Sequence, residues 1–186
     1  MKTLEELSRE YQCLKGSQWH NYMVMYDLLF TPIREKVMSI LEIGIAEGTS
    51  LKIWQDYFPH AIIYGVDINV PKNVTGDRIR MFEGKQQDWD FLKQTMDKIG
   101  PCDVIIDDGG HILQHQLCSL LYLIDWVREG GFYIIEDVPE TNLKFWEFLT
   151  MHMAGISQGK LEQIPIFTGP ITESILGFRR KKGLLE

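Results

Sequence analysis

Leu41-Glu42-Ile43-Gly44-Ile45-Ala46-Glu47-Gly48-Thr49-Ser50 reads as the end of a buried strand, a glycine turn and the first turn of a helix. The apolar run Met38–Ile43 is too short for a helix of its own and stops at glycine, the mark of a strand. Gly44 and Gly48, with the small Ala46 between them, let the backbone approach a ligand closely, and Ser50 stands where it can cap the following helix. The same alternation continues downstream. Strands are expected at Met38–Ile43, Ala61–Val66, Ile79–Phe82, Val104–Asp107 and Phe132–Glu136, with amphipathic helices after the first, third, fourth and fifth. The connection Asp67–Asp77 is short and contains proline, so no helix is expected there. Continuously apolar strands alternating with helices imply a mostly parallel sheet covered on both faces, so the fold class is α/β, doubly wound. After a helix near Leu143–Met153, the runs Leu161–Phe167 and Thr172–Phe178 predict a closing antiparallel hairpin through Thr168-Gly169-Pro170-Ile171.

Upstream of the first strand, Thr3-x-x-Glu6 is a capping-box pattern that opens a short helix running to about Leu14, where Lys15-Gly16-Ser17 interrupts it. Trp19, Tyr22, Met23, Tyr26, Leu29 and Phe30 then recur at helical spacing until Thr31-Pro32, a stripe read as core packing. The organisation expected is one domain, with residues 1–36 as a helical cap segment and residues 37–186 as the core. The chain has 186 residues, 45% of them hydrophobic and 24% charged, which excludes disordered and low-complexity classes. A net charge of −7 disfavours nucleic acid and other phosphate-rich partners. The N-terminus has no apolar leader, and the longest nearly apolar run, Leu117–Ile124, is far too short to span a bilayer, so a cytoplasmic protein without membrane contact is expected. Cys13, Cys102 and Cys118 form no C-x-x-C pair and read as reduced thiols, the last two in apolar stretches. Homo-oligomerisation through the aromatic N-terminal helices is left open.

In a doubly wound sheet, ligands bind beyond the carboxyl ends of the strands. Asp67 ends the second strand 19 residues after Gly48, where a carboxylate can accept hydrogen bonds from both hydroxyls of a ribose. A dinucleotide enzyme would show G-x-G-x-x-G and set its helix N-terminus on a pyrophosphate. This turn instead reads G-x-A-x-G and carries Glu42 and Glu47, carboxylates that disfavour phosphate and tolerate an amino group and a sulfonium. S-adenosylmethionine is therefore expected rather than NAD. The second constellation is Asp107-Asp108-Gly109-Gly110-His111 at the fourth strand end, with Glu136-Asp137 at the fifth. Asp108, Glu136 and Asp137 brought to one point would repel one another without a cation, and an oxygen donor set suits Mg²⁺ or another hard divalent ion better than zinc. His111 lies on the turn beside them, within reach to act as general base. His111 and His115 are four apart, but Ile112 stands where a zincin needs glutamate, and His60 and His152 read as surface residues.

Taken together, these residues carry a resemblance that runs from about Lys15 to Val138. It rests on Lys15-Gly16-Ser17 with His20-x-Tyr22 and Tyr26, Leu41-Glu42-Ile43-Gly44, Ser50-Leu51-x-x-Trp54-x-x-Tyr57-Phe58-Pro59, Tyr64-Gly65-x-Asp67-Ile68, Gln87-x-x-Asp90 or Gln87-Asp88, Asp108-Gly109-x-His111, and Gly130-Gly131-x-Tyr133-x-x-Glu136-Asp137. The chain resembles the metal-dependent sugar O-methyltransferases of macrolide and tetracenomycin biosynthesis and the related cephalosporin hydroxylase family, both with class I S-adenosylmethionine-binding folds. The resemblance implies that Glu42 and the Gly44–Gly48 turn, with Glu47 and Ser50, hold the methionine part of the cofactor and Asp67 the ribose. It places Gln87 and Asp88 near the adenine, with Asp107 close by, and Lys15, His20 and Tyr22 closing over cofactor or substrate. It further implies Mg²⁺ on Asp108, Glu136 and Asp137, His111 as the base, and a small hydroxylated acceptor, a sugar or other natural product. Glu47 departs from the small residue frequent in that turn, and the large auxiliary domain of some relatives is not expected in residues 1–186. The rival expectation is an accessory cofactor-binding component of a biosynthetic or hydroxylating complex.

Overall fold

The computed structural model describes residues 1–156, 161–168 and 173–181. Two short helices, α1 (Leu4–Glu10) and α2 (Tyr22–Phe30), precede β1 (Ser39–Ile43) and α3 (Thr49–Tyr57). There follow β2 (Ile62–Asp67), β3 (Ile79–Glu83), α4 (Trp89–Ile99), β4 (Cys102–Asp107), α5 (Leu113–Leu123), β5 (Val127–Pro139), α6 (Glu140–Ile156), β6 (Leu161–Thr168) and β7 (Glu173–Arg180). The described strands form one sheet in the order β3-β2-β1-β4-β5-β7-β6. The first five are parallel, and β7 runs antiparallel to both β5 and β6. Chain direction across the sheet reverses between β1 and β4, so the crevice for a ligand opens at the carboxyl ends of those two strands. No helix among the described residues is long and apolar enough to cross a membrane.

The apolar runs form strands because helices cover both faces. All five residues of β1 are buried, and β4 is buried from Val104 to Asp107. On one face Tyr26, Phe30, Trp54, Phe58 and Phe132 pack as an aromatic cluster, with ring centroids 5.1 Å apart for Tyr26 and Phe30 and 5.3 Å for Tyr26 and Trp54. On the other, Leu41, Ile43, Ile105, Leu120, Tyr133, Trp146 and Leu176 form a second core. The capping box at Thr3 and Glu6 closes at the start of α1, and the Asp88 side chain accepts from the Phe91 N–H at the start of α4.

Several boundaries differ from expectation for local reasons. α1 stops at Glu10, because Gln12 enters the left-handed region at φ +55° and the Cys13 N–H turns back to the Ser8 carbonyl at 2.8 Å. α2 begins only at Tyr22, because Asn21 sits at φ +60°; Trp19 therefore leaves the stripe and is 53% exposed, while Tyr22, Met23, Tyr26 and Phe30 are buried as expected. The C-terminal hairpin forms from β6 and β7, and its expected turn beyond Thr168, with Thr172, lies outside the described residues.

Candidate cofactor and cation site

The turn after β1 is built without freedom to vary. Gly44 takes φ +80°, its N–H donates to the Val66 carbonyl at 2.8 Å, and a β-carbon there would lie 2.0 Å from the Asp108 carbonyl oxygen. Ala46 is also left-handed at φ +42°, and Gly48, at φ +74°, caps α3. One oxygen of Asp67 accepts from the N–H groups of Ile45 (2.9 Å) and Ala46 (3.1 Å), and the other accepts from Asn69 at 2.9 Å. Asp67 thus ties the end of β2 to the turn. Ser50 does not cap α3, contrary to expectation. Its hydroxyl donates to Glu42 Oε2 at 2.7 Å, as does the Trp54 indole N–H at 3.1 Å, because Ser50 is the second helical residue and faces the buried strand.

Beyond β4 and β5 the carboxylates gather. β5 carries a bulge between Ile135 and Val138, where three steps along β5 match two along β7, and Asp137 adopts φ +52°. This breaks the alternation that would otherwise send Glu136 and Asp137 to opposite faces. Lys15, in the loop between α1 and α2, places its ammonium against Asp108 Oδ2, 2.6 Å from Glu136 Oε2 and 3.4 Å from Glu42 Oε1. Tyr26 donates to the other oxygen of Glu136, and Tyr22 donates to Asp137 Oδ1 at 2.7 Å. His111 Nε2 lies 3.8 Å from Asp137 Oδ2, and His20 Nδ1 lies 3.6 Å from Oδ1.

Two groups of donor atoms, each within 4.8 Å of one another, result among the described residues: an inner set of Glu42, Asp108 and Glu136, and an outer set of Asp108, His111 and Asp137. Asp108 belongs to both. Burial pushes the Asp108 and Glu136 carboxyls up to about 7, against the pull of the Lys15 ammonium, and raises Glu42 in the same way. Burial opposes the charge on Lys15, but Asp108, Glu136 and Glu42 together hold it well above the ordinary lysine value. Behind this cluster Asp107 is wholly buried and accepts from Ser119, Gln86 and Tyr133. Its carboxyl is pushed up to about 6 by burial, with those donors opposing.

A cavity of about 550 Å³ joins the two constellations. Its wall includes Gly44, Ala46, Asp67, Ile68, Gln86 and Gln87 together with Lys15, His20, Tyr22, Asp108, His111, His115, Glu136 and Asp137. Of the residues singled out in the sequence, Glu42, Ser50 and Asp107 stand behind the wall and hold its parts, Glu47 is exposed, and Asp88 caps α4. Two wall residues escape sequence reading. Gln86 is buried, donates to Asp107 and accepts from the Gly110 N–H at 2.6 Å, locking the β3 and β4 loops together. His115, in the first turn of α5 and four residues after the loop residue His111, lines the cavity, a spacing visible in the sequence but noted there only as a failed zinc motif.

The chain matches no protein-family profile. It is 37% identical over 142 residues to the 8-demethyl-8-(2-methoxy-alpha-L-rhamnosyl)-tetracenomycin-C 3'-O-methyltransferase of Streptomyces olivaceus, covering 73% of this chain and 36% of that protein. It is 39% identical over 142 residues to the mycinamicin VI 2''-O-methyltransferase of Micromonospora griseorubida, again covering 73% of this chain and 36% of the relative. The chain therefore spans little more than a third of the length of the curated relatives it matches. Among solved structures, the MycE methyltransferase of the mycinamycin pathway, in complex with Mg and SAH, superposes with a TM-score of 0.82 at 29% identity, covering 100% of this chain and 57% of that one. The plantazolicin methyltransferase BpumL shares the fold with a TM-score of 0.69 at 11% identity, covering 95% of this chain and 90% of that one.

Proposed function

We propose, from a chain that is a homologue of the sugar O-methyltransferases of macrolide and tetracenomycin pathways and has the class I methyltransferase fold, that it transfers a methyl group from S-adenosylmethionine to a hydroxyl of a sugar or similar small natural product, assisted by Mg²⁺. The observation that carries this reading is the single cavity whose wall holds both the Gly44–Asp67 turn and the Asp108–His111–Asp137 group. The turn fits a nucleoside with an amino-acid tail, because its glycine and alanine leave the backbone bare and Asp67 presents a carboxylate at the strand end. The donor set fits a hard divalent ion, being carboxylate oxygens with one imidazole beside them. Asp108, Glu136 and Asp137 would hold the ion.

When bound, S-adenosylmethionine supplies an electrophilic methyl on a sulfonium, and the ion supplies a Lewis acid that lowers the pKa of a hydroxyl. The chain's own residues do the remainder. His111, 43% exposed in its side chain, lines the cavity with its Nε2 3.8 Å from Asp137 Oδ2, and takes the proton of the acceptor hydroxyl. The turn and the carboxylates fix the two reactants along one line, which lowers the barrier by removing their translational freedom. Ile68 offers an apolar surface to a base, and Leu14 and Ile112 offer one to the acceptor.

The test is methyl transfer to glycosylated polyketide acceptors. His111→Ala is expected to retain binding of S-adenosylhomocysteine while turnover falls by about 10²–10⁴-fold. Undiminished turnover would remove His111 as the base. Cofactor binding with no turnover on any hydroxylated acceptor would favour an accessory component instead.

A further inference from the structure

The turn from β4 into α5 carries His111 in a conformation that its own backbone does not favour. His111 takes φ +50°, in the left-handed region, directly after Gly109 and Gly110. Such a residue persists only where its surroundings over-determine it. The N–H groups that lead up to it are each tied down: Asp108 to the Ile43 carbonyl at 2.8 Å, Gly109 to Asp107 Oδ1 at 3.3 Å, and Gly110 to Gln86 Oε1 at 2.6 Å. The last of these is the shortest, and its acceptor belongs to neither β1 nor β4. Gln86 comes from the loop after β3, which lies beyond β2 and β1 in the sheet order. That loop is itself pinned, by the Gly84 N–H on the Asp67 carbonyl at 2.8 Å and by Asp88 at the start of α4. The Gln86 amide has one possible orientation. A backbone N–H can only donate, so Oε1 must face Gly110, and Nε2 then donates to Asp107 Oδ1 at 3.0 Å. A β-carbon at Gly109 would lie 2.2 Å from Gln86 Oε1, so the bare backbone there is what admits the amide.

We propose that Gln86 is a positioning residue: its amide fixes Gly110 and thereby the place of His111 in the cavity, tying the loop after β3 to the turn that carries the base. This rests on the reading of His111 as the base. Gln86 lines the cavity, but it is only 7% exposed and both ends of its amide are committed to the protein, so its polar atoms are not offered to a ligand. Asp107 completes the clamp from behind, held in turn by the hydroxyls of Ser119 and Tyr133. Without the bond to Gly110, the two glycines before His111 would be free to turn its peptide. Displacing a catalytic group by about 1 Å can cost about 10²-fold in rate, so a small rotation there is enough to matter.

Amide hydrogen exchange of the unliganded protein, resolved residue by residue by NMR, is the first test. In the wild type the Gly110 amide is expected to exchange far more slowly than that of an unstructured glycine. Exchange at the unstructured rate would overturn the proposal without any variant, and this measurement decides the matter should the variant below fail to fold. Gln86→Met keeps the length of the side chain and removes both bonds. It is expected to free the Gly110 amide while the amides of β1 and β4 stay protected. It should also lower kcat on a glycosylated polyketide acceptor by about 10–10²-fold, with the acceptor KM and the Kd of S-adenosylhomocysteine unchanged. Undiminished kcat, or weakened binding with kcat intact, would overturn the proposal. In a His111→Ala background Gln86→Met is expected to cost nothing further, because the group it positions is gone. A full additional loss there would show that Gln86 acts through something else, and the proposal would fall. Should His111→Ala itself keep full turnover, the reading of His111 as the base fails alone, and exchange at Gly110 in Gln86→Met still decides whether Gln86 sets the turn.

Discussion

A β-carbon at Gly44 would meet the Asp108 carbonyl oxygen at 2.0 Å, and the residue sits at φ +80°, where side chains are strained. Gly44→Ala is therefore expected to destabilise the protein by about 1–3 kcal/mol from the backbone alone, and to weaken S-adenosylhomocysteine binding, since the ends of β1 and β4 must part; urea melts and titration calorimetry read the two effects. Tyr26 sits wholly inside, its hydroxyl held as a neutral donor to Glu136 by burial and by the adjacent carboxylate. Tyr26→Phe removes a buried hydrogen bond to a charged group and is expected to cost about 1.5–3 kcal/mol in urea unfolding; an unchanged midpoint would contradict that contact. At this scale the sequence is informative where a residue type is rare for its setting. Gly44, Asp67, Asp108 and His111 stood out as bare backbone, acids and an imidazole at strand ends. Gln86 did not, because nothing local distinguishes a buried glutamine that joins two loops from the exposed Gln87 beside it. Nor did the pairing of Lys15 with the inner carboxylate set, because Lys15, Glu42, Asp108 and Glu136 are far apart in the chain and meet only in the folded protein.

At the scale of elements, the strands were legible because a parallel sheet buried on both faces demands unbroken apolar runs, as β1 and β4 show. Helix ends were less so. α1 ends and α2 begins where Gln12 and Asn21 take left-handed backbone, and neither is the glycine that usually announces such a break. The bulge in β5 was invisible for the same reason: Asp137 occupies φ +52° without a glycine, and the register shift depends on the partner strand β7. Packing of these elements has a chemical readout. Cys102 opens β4, fully buried, and burial pushes its thiol up to about 12; Cys13, beside the carboxylate cage, is pushed up to about 11. A raised thiol pKa means less thiolate at a given pH, roughly a hundredfold less for Cys13 and a thousandfold less for Cys102 than for a thiol at 9.0. Alkylation of the native protein at pH 8, followed by peptide mass analysis, is expected to label the half-exposed Cys118 on α5 first. Labelling of Cys102 ahead of Cys118 would contradict the packing of β4.

Over the whole molecule, the cap and the sheet act together. α1 and α2 pack on the face that carries Trp54 and Phe58, and the loop between them delivers Lys15 to the carboxylates while α2 delivers Tyr22 and Tyr26. The doubly wound core could be inferred from alternation alone, and the glycine turn after β1 from its residues; the joining of turn, carboxylates and cap into one cavity needed the strand order β2-β1-β4-β5. That cavity is the basis of the proposed activity, so its occupancy is the measurement to make: thermal melts of the purified chain with S-adenosylhomocysteine, with Mg²⁺ and with EDTA. Ligand at about 100 times its Kd adds roughly 2.7 kcal/mol, and at about 2–4 °C per kcal/mol for a chain of this size the midpoint should rise by several degrees, and further with Mg²⁺. An unmoved midpoint at saturating ligand, with Mg²⁺ and with EDTA alike, would contradict the Gly44–Asp67 turn as a working cofactor site and with it the proposed methyl transfer.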